Sequence, residues 1–322
     1  MDIPTLSDIQ QAHEQIKDRI HRTPVLTNRQ VDERSGCRVF FKCENFQRVG
    51  AFKFRGACNA VFSLADEEAS NGVATHSSGN HAQAIALAAR MRNIPAYIVM
   101  PENSPEVKKR AVAGYGAEIT FCEPTQEARE STLEKVVEKT GATFIHPYND
   151  PRIIAGQGTS CLELLEDYPD LDIILVPVGG GGLASGTAIA ASGIRPEVKV
   201  IGCEPEIADD AYLSLKTGEL QPSKNTQTVA DGLRTGLGEL TFACLQKHLH
   251  GIVTVSEEEI VSAMRYIWER MNIIIEASCA VPVAALFNHK IENTSGKKIG
   301  IIITGGNVDL ENLPWNEQRE HG

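Results

Sequence analysis

A chain of 322 residues with 42% hydrophobic composition can bury a large core, which excludes a small stapled module and points to two lobes or one large α/β unit. Its formal charge of −11, without any polybasic run, argues against nucleic-acid binding and leaves small molecules as the expected partners. No apolar span reaches the roughly 20 residues of a membrane helix, and the acidic, amphipathic start lacks a secretion signal, so a cytoplasmic protein with no membrane partner is expected.

In chain order, residues 7–20 predict a helix with Ser7 as N-cap, apolar positions at Ile9, Ala12, Ile16 and Ile20, and a stop at Pro24. Residues 39–43 (VFFKC) predict a strand. The stretch AFKFRGACNAVFSL then places Phe54, Ala57, Cys58 and Val61 at helical spacing. Lys53 stands between two phenylalanines just ahead of that face. Either it snorkels to solvent or it is held desolvated as an amine nucleophile, and the local sequence leaves both open. Residues 73–89 read as strand, glycine turn and helix, with Ser77, Ser78, Gly79, Asn80 and His81 offering hydroxyls and N–H groups at a helix start, although SSGN also reads as an ordinary capping loop. Strands at 96–100 and 118–122, with helices at 105–113 and 125–140, continue an alternation that predicts a parallel sheet. A further strand is expected at 143–146, and the turn-rich HPYNDP marks a return to the first lobe.

The sequence IILVPVGGGGLASG from Ile173 reads as a strand buried on both faces, ending at Gly179 and feeding through four glycines into a helix. Adjacent glycines let successive N–H groups turn toward one point, so this is an anion cradle, most simply for phosphate. It lacks the lysine of a P-loop and the glycine spacing of a dinucleotide fingerprint. A phosphate-bearing aldehyde would use both the cradle and an amine, which favours the nucleophile reading of Lys53. Downstream, a strand at 198–203 is followed by Glu204, Ala208, Asp209 and Asp210, on what reads as a loop that either binds a hard cation or forms a solvated acidic face. Residues 216–228 read as loop, 257–271 as helix, 273–275 as an apolar run ending at Glu276, and 298–304 as a buried strand stopping at TGGN. The eight cysteines are scattered without a C-x-x-C pair and read as buried structural thiols.

Six ordered motifs spread over nearly the whole chain, GAFKFRGA, SSGNHAQA, IAGQGT, GGGGL, ADG and TGGNVDL, resemble the fold-type II pyridoxal-phosphate (PLP) enzymes, within them the serine racemase and threonine/serine dehydratase group. The resemblance implies a two-lobed, tryptophan synthase β-like α/β fold of parallel-rich sheets flanked by helices, with residues 1–71 and 150–322 as the large PLP-binding domain and 72–149 as the small one. It makes Lys53 the Schiff-base lysine, Gly179, Gly180, Gly181, Gly182 and Leu183 the phosphate loop, Asn80 the partner of the ring hydroxyl, Phe52 a ring-packing residue and Thr304 the partner of the ring nitrogen. Relatives often have Ser or Cys at that last position. Ser78 is implied as the second acid and base of racemisation, and Ser77, Ser78, Asn80, His81, Arg129 and Thr235 as substrate contacts. Glu204, the Ala208 carbonyl and Asp210 are implied ligands of Mg²⁺, Ca²⁺ or Mn²⁺.

The implied activity is racemisation of L-serine with dehydration of L-serine, and less readily L-threonine, to the 2-oxo acid and ammonia. The rival is a 3-hydroxyaspartate ammonia-lyase or aspartate racemase, with Arg129 or Arg152 holding a second carboxylate. A non-catalytic PLP-binding role runs against the retention of Lys53, Ser78 and the metal trio. The family implies a homodimer. ATP as activator stays open, because Tyr115, Arg270 and Asn307 are in place while Asn272 stands where a lysine is expected and Ala51 replaces a serine.

Overall fold

The computed structural model describes residues 3–104, 106–223 and 227–316. The chain runs α1 (Leu6–Ile16), β1 (Val25–Leu26), α2 (Arg29–Ser35), β2 (Arg38–Cys43), α3 (Lys53–Phe62), α4 (Asp66–Ser70), β3 (Val73–His76), α5 (Asn80–Arg92), β4 (Ala96–Pro101), α6 (Glu106–Gly114), β5 (Glu118–Cys122), α7 (Gln126–Thr140) and β6 (Thr143–Phe144). It continues with α8 (Pro151–Asp167), β7 (Ile173–Pro177), α9 (Gly182–Ile194), β8 (Lys199–Pro205), α10 (Asp210–Thr217), α11 (Glu239–His248), β9 (Gly251–Val255), α12 (Glu257–Met271), α13 (Ala277–Phe287) and β10 (Lys298–Ile303).

Two sheets result, of order β1-β2-β10-β7-β8-β9 and β5-β4-β3-β6. All pairings are parallel except that of the short edge strand β1 with β2. Parallel strands need crossover helices on both faces, which is why central strands such as β7 are buried throughout and carry aliphatic residues without alternation. The expected parallel α/β architecture is therefore present. Switch points in strand order put the carboxyl ends of β3, β7 and β10 beside loops that can hold a ligand.

Several local expectations are corrected. The N-cap of α1 is Thr5, not Ser7: Thr5 and Asp8 form a reciprocal capping box, and α1 ends at Ile16 well before Pro24. The strand at 143–146 shortens to two residues, and β7 stops at Pro177, before Gly179. Residues 216 and 217 finish α10, so the segment read as loop begins later; residues 224–226 of it, like the expected helix start at Pro105, lie outside the described residues. All eight cysteines are free and buried, as their apolar settings imply. Among the described residues no helix is long and apolar enough to cross a membrane.

Candidate active site

The four glycines after β7 lead into α9, whose N-cap Gly181 has φ of 82° and offers no side-chain cap. A Cβ on Gly180 would come within 2.3 Å of the Tyr148 ring, and one on Gly181 within 2.7 Å of Leu237. Close approach as well as backbone conformation thus demands glycine. The first bond of the helix runs from the Ser185 N–H to the Gly181 carbonyl at 2.8 Å. Among the described residues the buried N–H groups of Gly180, Gly181, Gly182 and Leu183 donate to nothing. Orphaned donors at a buried helix N-terminus call for an anion.

Lys53 opens α3, and its Nζ donates to the Pro147 carbonyl at 2.9 Å, with the Phe52 ring centre 5.2 Å away. Burial lowers its pKa to about 8, against the opposing pull of the Glu276 carboxylate. Pro147 precedes the tyrosine that packs on Gly180, so one segment touches both lysine and cradle. The two helices that carry them are docked on a third. A Cβ on Gly156 of α8 would lie 2.6 Å from Gly56 Cα in α3, and one on Gly186 of α9 would lie 2.6 Å from Gly158 N in α8. The IAGQGT motif therefore supplies two backbone-to-backbone crossings that fix the Lys53 helix against the helix that follows the glycine turn, and an added methyl at either would overpack by about 1–3 kcal/mol.

Asn80, at the start of α5, donates to Glu276 Oε2 at 3.1 Å, and Thr304, just past β10, lies 3.5 Å from Glu276 Oε1. The Asn80 side-chain oxygen Oδ1 in turn accepts from Asn307 Nδ2 at 2.9 Å. Glu276 is buried, and desolvation, helped by the charge of Asp231, raises its pKa from 4.5 to about 7. An unfolded Glu276 loses its proton near 4.5, the folded one near 7, so stability falls as pH rises across that window and stays reduced above it. Glu276→Gln should accordingly resist urea better than the parent at pH 8 and no better at pH 4, and the Lys53 amine should titrate lower in the variant for want of the neighbouring charge.

Two residues belong to this cluster that sequence reading did not assign to it. Cys279 Sγ lies 3.1 Å from the Thr304 hydroxyl and 2.9 Å from the Gly305 carbonyl, which restricts how that hydroxyl can turn. Tyr148 walls the glycine loop and stacks edge-on to His146 at 4.6 Å. No local spacing signals either, because Cys279 meets Thr304 and Gly305, and Tyr148 meets Gly180, across long stretches of sequence.

The remaining expected residues divide. Ser77 accepts from the Gly79 N–H at 3.3 Å, whereas the half-buried Ser78 hydroxyl has no partner among the described residues. His81 is buried, with Nδ1 unpartnered and a pKa held well below the usual value by burial and by the charge of Lys53. Arg129, on α7, has a buried Nε without a partner, while Arg152 is already forked to Asp150 at 2.7 and 3.1 Å. Thr235 is exposed, its hydroxyl unengaged among the described residues. Asn272 caps α12 at φ of 54°, a left-handed position that asparagine tolerates better than lysine.

Glu204 is a correction: it sits inside β8, paired with Thr254 of β9, and not on the following loop. Its carboxylate accepts from the N–H groups of Ala211 and Tyr212 at 3.2 and 2.7 Å. Asp210, opening α10, has Oδ2 buried and unpartnered; burial raises its pKa to about 6, and burial also raises that of Glu204 well above the usual carboxylate value. With Ala208 also buried, two desolvated carboxylates, one of them with an orphaned oxygen, suit a hard cation.

A family model described as "Pyridoxal-phosphate dependent enzyme" matches residues 16–305. The chain is 51% identical over 316 residues to the beta-hydroxyaspartate dehydratase of Paracoccus denitrificans, covering 98% of this chain and all of that protein. It is 50% identical to the serine racemase of Dictyostelium discoideum over 96% of each chain. The structure of maize serine racemase superposes with a TM-score of 0.95 at 44% identity, covering 99% of this chain and 98% of that one.

Proposed function

The chain belongs to the pyridoxal-phosphate-dependent enzymes of the serine racemase and ammonia-lyase group, and from that membership we propose that it racemises L-serine and eliminates water from L-serine and, more slowly, L-threonine. The residues suit the cofactor: the orphaned N–H groups of the glycine loop match a phosphate, the Thr304 hydroxyl a ring nitrogen, the Asn80 amide a ring hydroxyl, and Lys53 an aldehyde, with Phe52 packing on the ring. When bound, pyridoxal phosphate supplies a sink for the charge left at Cα once its proton is removed. The single observation that carries the reading is a half-buried lysine amine whose pKa is lowered to about 8, fixed to the cradle through two helix crossings.

In this proposal Lys53 takes the Cα proton on one face and the free hydroxyl of Ser78 returns or takes one on the other. Ser77, Asn80 and His81 hold the substrate carboxylate with N–H groups of their turn, joined by Arg129 and Thr235. A neutral hydroxyl at position 304 donates only a weak hydrogen bond, so a β-hydroxyl is readily expelled. Chiral chromatography and coupled 2-oxo-acid assays test this, with D-serine and pyruvate both expected from L-serine.

One observation favours a second reading. The unpartnered guanidinium nitrogen of Arg129 leaves it free to meet a second carboxylate, as in an L-threo-3-hydroxyaspartate ammonia-lyase or an aspartate racemase, whereas Arg152 is taken by Asp150. Oxaloacetate formed from hydroxyaspartate faster than pyruvate from serine would make this the main activity.

Glu204, Ala208 and Asp210 are proposed to hold Mg²⁺, Ca²⁺ or Mn²⁺. Millimolar Mg²⁺ should raise the melting temperature by several degrees, and Asp210→Asn, which removes one of the two desolvated charges, should melt higher than the cation-free parent and no longer respond. We further propose a cytoplasmic homodimer of two lobes, 1–71 with 150–322 and 72–149. Phe46 and Ile274, both exposed and joined through the Asn45 amide, which donates to the Ile274 carbonyl at 3.1 Å, support a subunit contact.

A further inference from the structure

Arg55 stands two residues beyond Lys53 in α3 and is wholly buried, as are Lys42, Glu44 and Glu163. Its guanidinium is bidentate to both carboxylates: Nε and Nη2 donate to Glu44 at 2.7 and 2.8 Å, and Nη1 and Nη2 donate to Glu163 at 2.8 Å each. Nη1 also reaches the Thr159 hydroxyl at 3.2 Å, so every N–H of the fork is engaged. Lys42 Nζ binds Glu163 at 2.6 Å and the Thr23 carbonyl at 2.8 Å, and the Thr23 hydroxyl donates to Glu44 at 2.6 Å. Two positive and two negative charges cancel. They tie together the segment before β1, the end of β2, α3 and α8.

Burying four charges is a poor route to stability, since apolar side chains of similar volume often do as well. What such a cluster adds is direction. Residues two apart on a helix point nearly opposite ways, so an Arg55 fork locked to two separate elements fixes the rotation of α3 about its axis. A lysine amine held roughly 8 Å from a helix axis would move by about 3 Å for a rotation of about 20°.

We propose that Arg55, through Glu44, Glu163 and Lys42, is a positioning residue that aims the Lys53 amine at the glycine loop. This rests on Lys53 being the cofactor lysine. Arg55→Lys keeps the charge and loses both forks.

The test adds pyridoxal phosphate to apo-protein and follows its borohydride trapping on Lys53, by peptide mass, as a function of pH. In Arg55→Lys the trapping rate at pH 7.5 should fall at least tenfold and its pH midpoint should rise, as the amine leaves its desolvated place. In the loaded enzyme kcat should fall at least tenfold with KM changed less than threefold. Ile260→Ala, a core truncation on α12, controls for lost stability and should leave the trapping profile alone. Lowered melting with an unchanged profile in Arg55→Lys overturns the inference and leaves the site reading intact. No trapping at Lys53 in the parent overturns both. Should Arg55→Lys not fold, Thr159→Val, which loosens one arm and leaves every charge paired, should slow trapping about threefold. An unchanged rate there overturns the inference equally.

Discussion

Replacing Lys53 by alanine should lower racemisation and elimination by about 10⁴-fold or more and leave no borohydride-stable pyridoxal adduct at position 53. The size follows from the two tasks proposed for the side chain, holding the cofactor and moving the Cα proton. Its setting makes the second task feasible near neutrality. At pH 7.5 an ordinary lysine is about one part in a thousand unprotonated, whereas one that titrates at about 8 is about one part in four. The parent's rate should therefore climb with pH through about 8 and level off, because protonation removes the base. A rate still climbing toward pH 10, or an alanine variant with appreciable turnover, would defeat the assignment.

Much of the scaffold was legible because parallel strands leave a plain mark. Ile173, Ile174 and Leu175 can be apolar without alternation only where both faces are covered, and the turn residues after each such run locate the loops. Segments that resisted reading have physical reasons. α13 is apolar all round and has Pro282 inside it, so no helical stripe appears. α8 is buried over nearly its whole length, and its buried Gln157, Thr159, Ser160 and Glu163 break up any apolar stripe. Glu204 looks like a loop residue because a charge inside a buried strand is rare, and nothing near it in sequence announces the N–H groups of Ala211 and Tyr212 that receive it.

The site was legible where its chemistry is local and illegible where it is not. Four adjacent glycines declare a cradle by themselves. The Asn80, Glu276 and Thr304 cluster joins residues 196 and 28 positions apart, so its existence depends on the packed fold. Arg55 and Lys42 mislead in the opposite sense: charged residues read as surface, yet here they form the interior brace behind the lysine.

Ser78→Ala should separate the two activities. In the turn between β3 and α5, the Ser77 hydroxyl is spent on the Gly79 N–H at 3.3 Å, whereas that of Ser78 is half-buried and unengaged among the described residues. A hydroxyl so placed can exchange a proton with substrate at no cost in broken structure. Racemisation needs proton transfer on both faces of Cα, and elimination from L-serine needs only the lysine face, so the variant should lose about 10²- to 10⁴-fold in interconversion while keeping elimination within about tenfold. Elimination from D-serine should fall together with racemisation, because its Cα proton lies on the serine side. L-serine should still exchange its Cα hydrogen with deuterated solvent, since Lys53 remains. Ser77→Ala, by contrast, should lower both activities in parallel by loosening the turn. Undiminished formation of D-serine by Ser78→Ala, or an equal collapse of both reactions in it, would remove Ser78 from the proposed role and leave the second face to another acid.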